Sequence, residues 1–140
     1  MQKEDILWLK SLPSQTSYFH GSASIEMCHG SPNDKDEYIY PDRSSDKLEN
    51  CKLLDRNFVL MGHTHYPFSK VLKSGTVLIN PGSVGQARER GGEAQWCELD
   101  TENLVFRFHR TPYDPSEIIE QVRSIDPHLP YLANVLMRRI

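Results

Sequence analysis

The stretch Phe58-Val59-Leu60-Met61-Gly62-His63-Thr64-His65 decides how this chain is read. Four apolar residues in a row suit a short strand buried on both faces, and glycine ends that strand where two histidines begin. Upstream, Ser17 to His29 reads as two extended runs about Gly21-Ser22, a hairpin whose second strand delivers His29 into Gly30-Ser31-Pro32. Downstream, Thr76 to Ile79 runs into Asn80-Pro81-Gly82-Ser83-Val84-Gly85. Three strand ends thus carry polar, turn-forming motifs.

Working outward, Ile6, Leu7, Leu9 and Leu12 near Trp8 predict an opening helix over residues 3–11, stopped at Leu12-Pro13. The polar run Ser31 to Glu37 predicts a loop, and Ser45-Asp46 is placed to cap a helix through about Asp55 containing Leu48, Leu53 and Leu54. Phe68 to Leu72, Thr76 to Ile79, Gln95 to Leu99 and Leu104 to His109 read as four strands of a β-meander. Pro115-Ser116-Glu117 opens a helix with Ile118, Ile119 and Val122, and Tyr131 to Met137 predicts another after Pro130. Gly91-Gly92 reads as a flexible point, and Arg138-Arg139 as a solvated helix end.

The 140 residues, 38% hydrophobic and 25% charged, fit a single domain over residues 1–140 with a core of its own. Nineteen acidic against sixteen basic residues leave a formal charge of -3, which gives no electrostatic footprint for nucleic acid or an anionic membrane. No apolar run is long enough to span a bilayer and Met1 to Asp5 lacks the apolar core of a leader, so a cytoplasmic location is expected. Cys28, Cys51 and Cys97 are odd in number and widely spaced, which predicts reduced thiols rather than a disulfide framework or a zinc site.

His63 and His65 are candidates for metal chemistry, though a lone His-x-His is a weak signal. In an extended segment, side chains two apart point the same way and lie about 6–7 Å from each other, so each reaches a different ion of a pair ~3.5–4 Å apart. Imidazole suits zinc, iron, manganese and nickel. The alternative is a pair of loop histidines bonded to backbone groups, with Gly62 an ordinary turn glycine. His20, His109 and His128 have no matching neighbours and read as surface or strand histidines.

The order of the three motifs, from His29-Gly30-Ser31-Pro32 through Gly62-His63-Thr64-His65 to Asn80-Pro81-Gly82-Ser83-Val84-Gly85, resembles the calcineurin-like metallophosphoesterases, in particular their small bacterial and archaeal members. The resemblance covers roughly Leu12 to Phe108. It implies an α/β fold, the C-terminal half of a four-layer α/β/β/α sandwich. It also implies that His29 and His63 ligate one divalent ion and His65 another, through neutral imidazole nitrogens. Asn80 and Ser83 would shape the site floor and contact substrate, with Pro81-Gly82 turning beneath the metals. The implied reaction is hydrolysis of a phosphodiester, phosphomonoester or nucleotide polyphosphate by metal-bound hydroxide in a binuclear manganese, iron, zinc or nickel site.

One half of the family's pattern has no counterpart here. The Asp-x-His, Gly-Asp and Gly-Asn-His-Asp or -Glu motifs that supply carboxylates, an asparagine and the catalytic histidine do not occur in a matching context, so no catalytic residue is assigned in this chain. Two divalent cations bring about +4 and three neutral imidazoles bring nothing, so one ion is expected to bind these residues but not two. A truncated gene model, a split gene and a degenerate remnant each account for the pattern. In every case an apolar face is expected to be left open, favouring self-association or a companion chain carrying the missing half.

Arg88 offers a bidentate fork for a phosphate oxygen, balanced against a solvated loop; for Arg90 the loop reading is preferred. Ser31 and Ser83 have no base at a suitable spacing and are not read as nucleophiles. The rival functions are a non-catalytic interaction module, as in the retromer-coat subunit of the same fold, and a metal-binding remnant with a structural ion. Retention of all three histidines speaks against the scaffold.

Overall fold

A computed structural model describes residues 2–42, 45–53 and 55–139. In chain order the elements are α1 (Lys3–Ser11), β1 (Gln15–His20), β2 (Ala23–Cys28), α2 (Ser45–Glu49), β3 (Phe58–Leu60), β4 (Phe68–Val71), β5 (Val77–Asn80), β6 (Glu93–Asp100), β7 (Val105–Pro112), α3 (Ser116–Ile125) and α4 (Pro130–Met137). The protein is a mixed α/β fold, as its sequence implies. Five strands form one sheet in the order β1-β2-β3-β5-β4, and β6 and β7 form a separate antiparallel ribbon.

The arrangement of β3 follows from its apolar run. Phe58 and Val59 are both buried, on opposite faces, because successive side chains of a strand alternate. Val59 joins Ile39, Leu48, Cys51, Met61, Phe68, Leu72 and Leu78 beneath the loop and α2. Phe58 joins Ala23, Ile25 and Ile79 on the other side, where Cys97, Leu99, Leu104 and Phe106 of the ribbon region cover them. A central strand covered on both faces pairs in parallel, and β3 does so with β2 on one side and β5 on the other.

This corrects the meander. β4 and β5 pair antiparallel, and so do β6 and β7, but β5 turns to β3 and the ribbon packs across the sheet instead of extending it. Leu78 and Ile79 are adjacent and both fully buried, whereas β6 alternates along much of its length. The two strands therefore need different surroundings.

Other expectations shift in detail. α2 is a single turn-and-a-half, ending at Glu49 well short of Asp55; Leu54 and the side chain of Ser45 lie outside the described residues. Gly91 is not a flexible point: a Cβ there would run into the backbone carbonyl of Leu136, so glycine lets the two segments close. Arg138, half-buried, and Arg139, which stays exposed, are also bonded to backbone carbonyls rather than free in solvent. Arg138 donates to the Arg88 carbonyl at 2.9 Å and Arg139 to the Gly91 carbonyl at 2.5 Å, tying α4 to the loop after β5.

At the far edge, α1 and β1 are nearly bare. No residue of α1 is buried, the helix packs on no other helix or strand among the described residues, and every residue of β1 is exposed. Trp8 is 62% exposed and Phe19 63%. The thiols of Cys28 and Cys51 are pushed up by burial to about 12 and about 11, and all three cysteines are free. Among the described residues no helix is long and apolar enough to cross a membrane.

Candidate functional site

The site is a consequence of three neighbouring parallel strands. Met27, Leu60 and Ile79 lie side by side in β2, β3 and β5. Continuing each strand past that row leads to His29, to Gly62-His63 and to Asn80, so three motifs distant in sequence emerge at one edge. The carboxyl end of parallel strands is where open α/β sheets place their ligands.

The histidine loop is built around an unexposed threonine. Thr64 is 1% exposed, its N–H donates to the Gly62 carbonyl at 2.7 Å, and its hydroxyl accepts from Asn80 Nδ2 at 3.0 Å. An N–H bonded to the carbonyl two residues back closes a γ-turn, with His63 at its centre at φ 63°. His65 also has positive φ, 58°. The segment is therefore not extended as the spacing alone suggests. Both histidines sit in the left-handed region, which costs a side chain bearing Cβ on the order of 1–3 kcal/mol.

Asn80 holds this loop from below. It is fully buried; its Nδ2 also donates to the Gly62 carbonyl at 2.7 Å, and its Oδ1 accepts the Gly82 N–H at 2.9 Å. Gly82, at φ 91°, has the Gln95 side chain where a Cβ would lie, so the turn and β6 close on one another. Gln95 accepts the Ser83 N–H through Oε1 at 3.4 Å. The Ser83 hydroxyl accepts from the Gln86 N–H at 3.0 Å, so it organises the turn.

These contacts place the imidazoles. His63 Nδ1 lies 3.0 Å from His29 Nε2, with the rings edge to face and their centroids 4.8 Å apart. His65 Nδ1 lies 3.0 Å from the Gln86 carbonyl. A carbonyl accepts only, so Nδ1 of His65 carries the proton, and in the neutral ring Nε2 keeps its lone pair. A backbone carbonyl behind the ring is the usual support of a metal-ligating histidine. Burial, and next the neighbouring His63 imidazole, lower the pKa of His29 below its usual value.

The donor set fits a divalent ion in part. Two nitrogens each about 2.0–2.1 Å from one ion are about 3–3.4 Å apart between right-angle and tetrahedral geometry, so the 3.0 Å between His29 and His63, itself a hydrogen-bond distance, is compatible with a shared ion. If Nδ1 of His63 takes that role, its Nε2 bears the proton; that atom is buried and has no partner among the described residues. His65 does not join the pair: among the described residues no group of three or more His, Cys, Asp or Glu is drawn together as one metal site.

The remaining expectations separate. The Arg88 N–H bonds the His65 carbonyl at 3.3 Å, but its guanidinium carbon lies 5.6 Å from the Tyr131 ring centre on α4, with Nε buried and without a partner among the described residues. Arg90 pairs with Glu93 at 3.3 Å. His109 stacks on Trp96 and contacts Glu98, away from the strand ends. Asp126-Pro127-His128, the one literal Asp-x-His, lies in the turn after α3.

Sequence reasoning missed two neighbours. Asp36 has its carboxyl held below the usual range, chiefly by Lys35, with smaller contributions from His63 and His29, which places it near them. Tyr38 sets its ring 4.0 Å from the centre of the His63 ring. Neither lies in a recognisable motif; the only signal was the aromatic spacing of Tyr38-Ile39-Tyr40 in an otherwise polar loop.

A sheet of this topology with histidines at its strand ends belongs to the class of metallophosphoesterase folds. The chain is a member of the calcineurin-like phosphoesterase superfamily, whose domain matches residues 2–104. It is 27% identical over 138 residues to the uncharacterized protein MJ0912 of Methanocaldococcus jannaschii, covering 87% of this chain and 55% of that protein. The crystal structure of hypothetical protein PH1004 from Pyrococcus horikoshii superposes with a TM-score of 0.81 at 25% identity, covering 96% of this chain and 54% of that one. A metallophosphoesterase from Sphaerobacter thermophilus shares the fold, with a TM-score of 0.71 at 24% identity over 98% of this chain and 64% of its own. The chain thus spans about half the length of the first two relatives.

Proposed function

We propose that this chain provides the histidine wall of a metal-dependent phosphoesterase site acting on phosphodiesters, phosphomonoesters or nucleotide polyphosphates. The observation that carries the reading is the 3.0 Å approach of His29 Nε2 and His63 Nδ1 at the ends of adjacent parallel strands. His29 and His63 hold one ion, and His65 presents Nε2 toward a second. Manganese, iron, zinc or nickel there supplies Lewis acidity to the phosphoryl oxygens and lowers the pKa of water. Gln86 keeps the proton on His65 Nδ1, and Asn80 with Thr64 holds the loop so that neither imidazole drifts. The carboxylate ligands come from residues outside these 140.

Metal content and hydrolysis of bis-p-nitrophenyl phosphate with manganese, for the parent chain and His65→Ala, test this. Stoichiometric metal is expected in the parent, with turnover appearing once the carboxylate wall is supplied and lost in the variant. No metal in the parent would sink the reading.

The bare edge formed by α1 and β1 favours an association surface for a companion carrying that wall. Light scattering should find a dimer or a complex; a clean monomer at all concentrations counts against the companion.

A further inference from the structure

Resting on the phosphoesterase reading, we infer that Tyr38, Tyr40 and Tyr66 form an aromatic platform beside the histidines that takes a planar ring carried on the substrate's phosphoester, foremost a nucleobase. The three tyrosines come from two segments. Tyr38 and Tyr40 lie in the loop that follows His29, and Tyr66 directly follows His65. Tyr38 touches the His63 ring with centroids 4.0 Å apart and planes at 47°. Tyr40 lies nearly parallel to Tyr38, at 6.2 Å and 16°, and meets Tyr66 edge to face at 5.7 Å. The rings therefore lead away from a candidate ligand in an unbroken series.

Ile39, between the two tyrosines, is buried in the core and anchors the loop. Tyr38 itself stays 46% exposed although its side chain is large and mostly apolar. A ring that contacts a metal-ligating imidazole and still presents surface is placed to stack on a group bonded to the phosphorus held there. An aryl ester, whose ring is joined to phosphorus through one oxygen, meets Tyr38. A nucleobase, held off by its ribose, reaches on toward Tyr40. Stacking tolerates any base, because every base has a π-face.

The test is binding, which does not require turnover. With manganese present, the chain is titrated by calorimetry with adenosine 5′-monophosphate, ribose 5-phosphate and phenyl phosphate. Adenosine 5′-monophosphate should bind about tenfold more tightly than ribose 5-phosphate, the gain expected of one stacked ring. In Tyr38→Leu the ratio should fall toward one with ribose 5-phosphate unchanged, and Tyr38→Phe should restore it. Phenyl phosphate should follow the nucleotide, since its ring meets Tyr38; phenyl phosphate following the sugar phosphate would overturn that contact. Equal binding of nucleotide and sugar phosphate by the parent, no binding of either, or a ratio that survives Tyr38→Leu overturns the platform. Hydrolysis of bis-p-nitrophenyl phosphate with equal binding removes the platform alone, whereas base-dependent binding without hydrolysis leaves it standing and removes the enzymatic reading.

Discussion

His63→Gly will make the folded chain more stable by about 1 kcal/mol while weakening manganese binding at least about 100-fold. The two effects have separate causes. His63 sits at φ 63° in a γ-turn, a conformation that is strained for a side chain with Cβ and free for glycine. Its Nε2 is also buried without a partner among the described residues, so removing the ring removes a desolvated polar atom. Against this stand the lost contacts with Tyr38 and His29 and the larger unfolded-state entropy of glycine, which hold the gain to about 1 kcal/mol. Urea unfolding and calorimetric titration with manganese read the two outcomes. His63→Ala is the control: it loses the ligand but keeps the strain, so affinity should fall without a rise in stability. A glycine variant that is destabilised and still binds metal would show that His63 is held by packing rather than by function.

The second large effect falls on Asn80. Its amide makes three hydrogen bonds at a fully buried position, to the Gly62 carbonyl, the Thr64 hydroxyl and the Gly82 N–H. Asn80→Ala should cost about 3–4 kcal/mol, from buried groups left unpaired and a small cavity. Asn80→Asp keeps the shape and the acceptor for Gly82, but sets a second oxygen against the Gly62 carbonyl. Protonating that carboxyl restores a donor, so its folded-state pKa lies above the unfolded value of about 3.9. The penalty should therefore be small below pH ~4 and grow as pH rises through the folded pKa. Denaturant midpoints from pH 4 to 8 check the trend; a difference from the parent that is constant across this range would rule out the donor role.

Much of the site was legible because strands betray themselves by apolar runs and turns by glycine and proline. Phe58 to Met61 could be placed as a strand buried on both faces and Thr76 to Ile79 as a strand, and their exits marked His63 and Asn80. The local backbone could not be read so easily. Nothing in Gly62-His63-Thr64-His65 announces left-handed conformations, since it is burial of Thr64 on Asn80, sixteen positions away, that forces the turn. Pairing partners were also hidden: β5 and β6 are both strands, but only two-sided burial of Leu78 and Ile79 separates the sheet from the ribbon. Gly91 looked free because the residue that presses on it, Leu136, lies far along the chain.

The exposed helix at the other end has a thermodynamic consequence. α1 is nine residues long and carries a capping box between Gln2 and Asp5, yet among the described residues it rests on no other element. Isolated helices shorter than about 12–15 residues are marginal in water, so in a lone chain this segment lives in a helix–coil equilibrium that its cap biases only weakly. Covering Leu7, Trp8 and Leu9 then completes the helix in the same event that buries them. Ordering costs about 1–2 kcal/mol per residue, so a companion of the kind proposed above would bind less tightly than the apolar area alone would give. On that proposal, folding of Lys3–Ser11 would be coupled to docking, and helix content measured by far-UV circular dichroism would report on both.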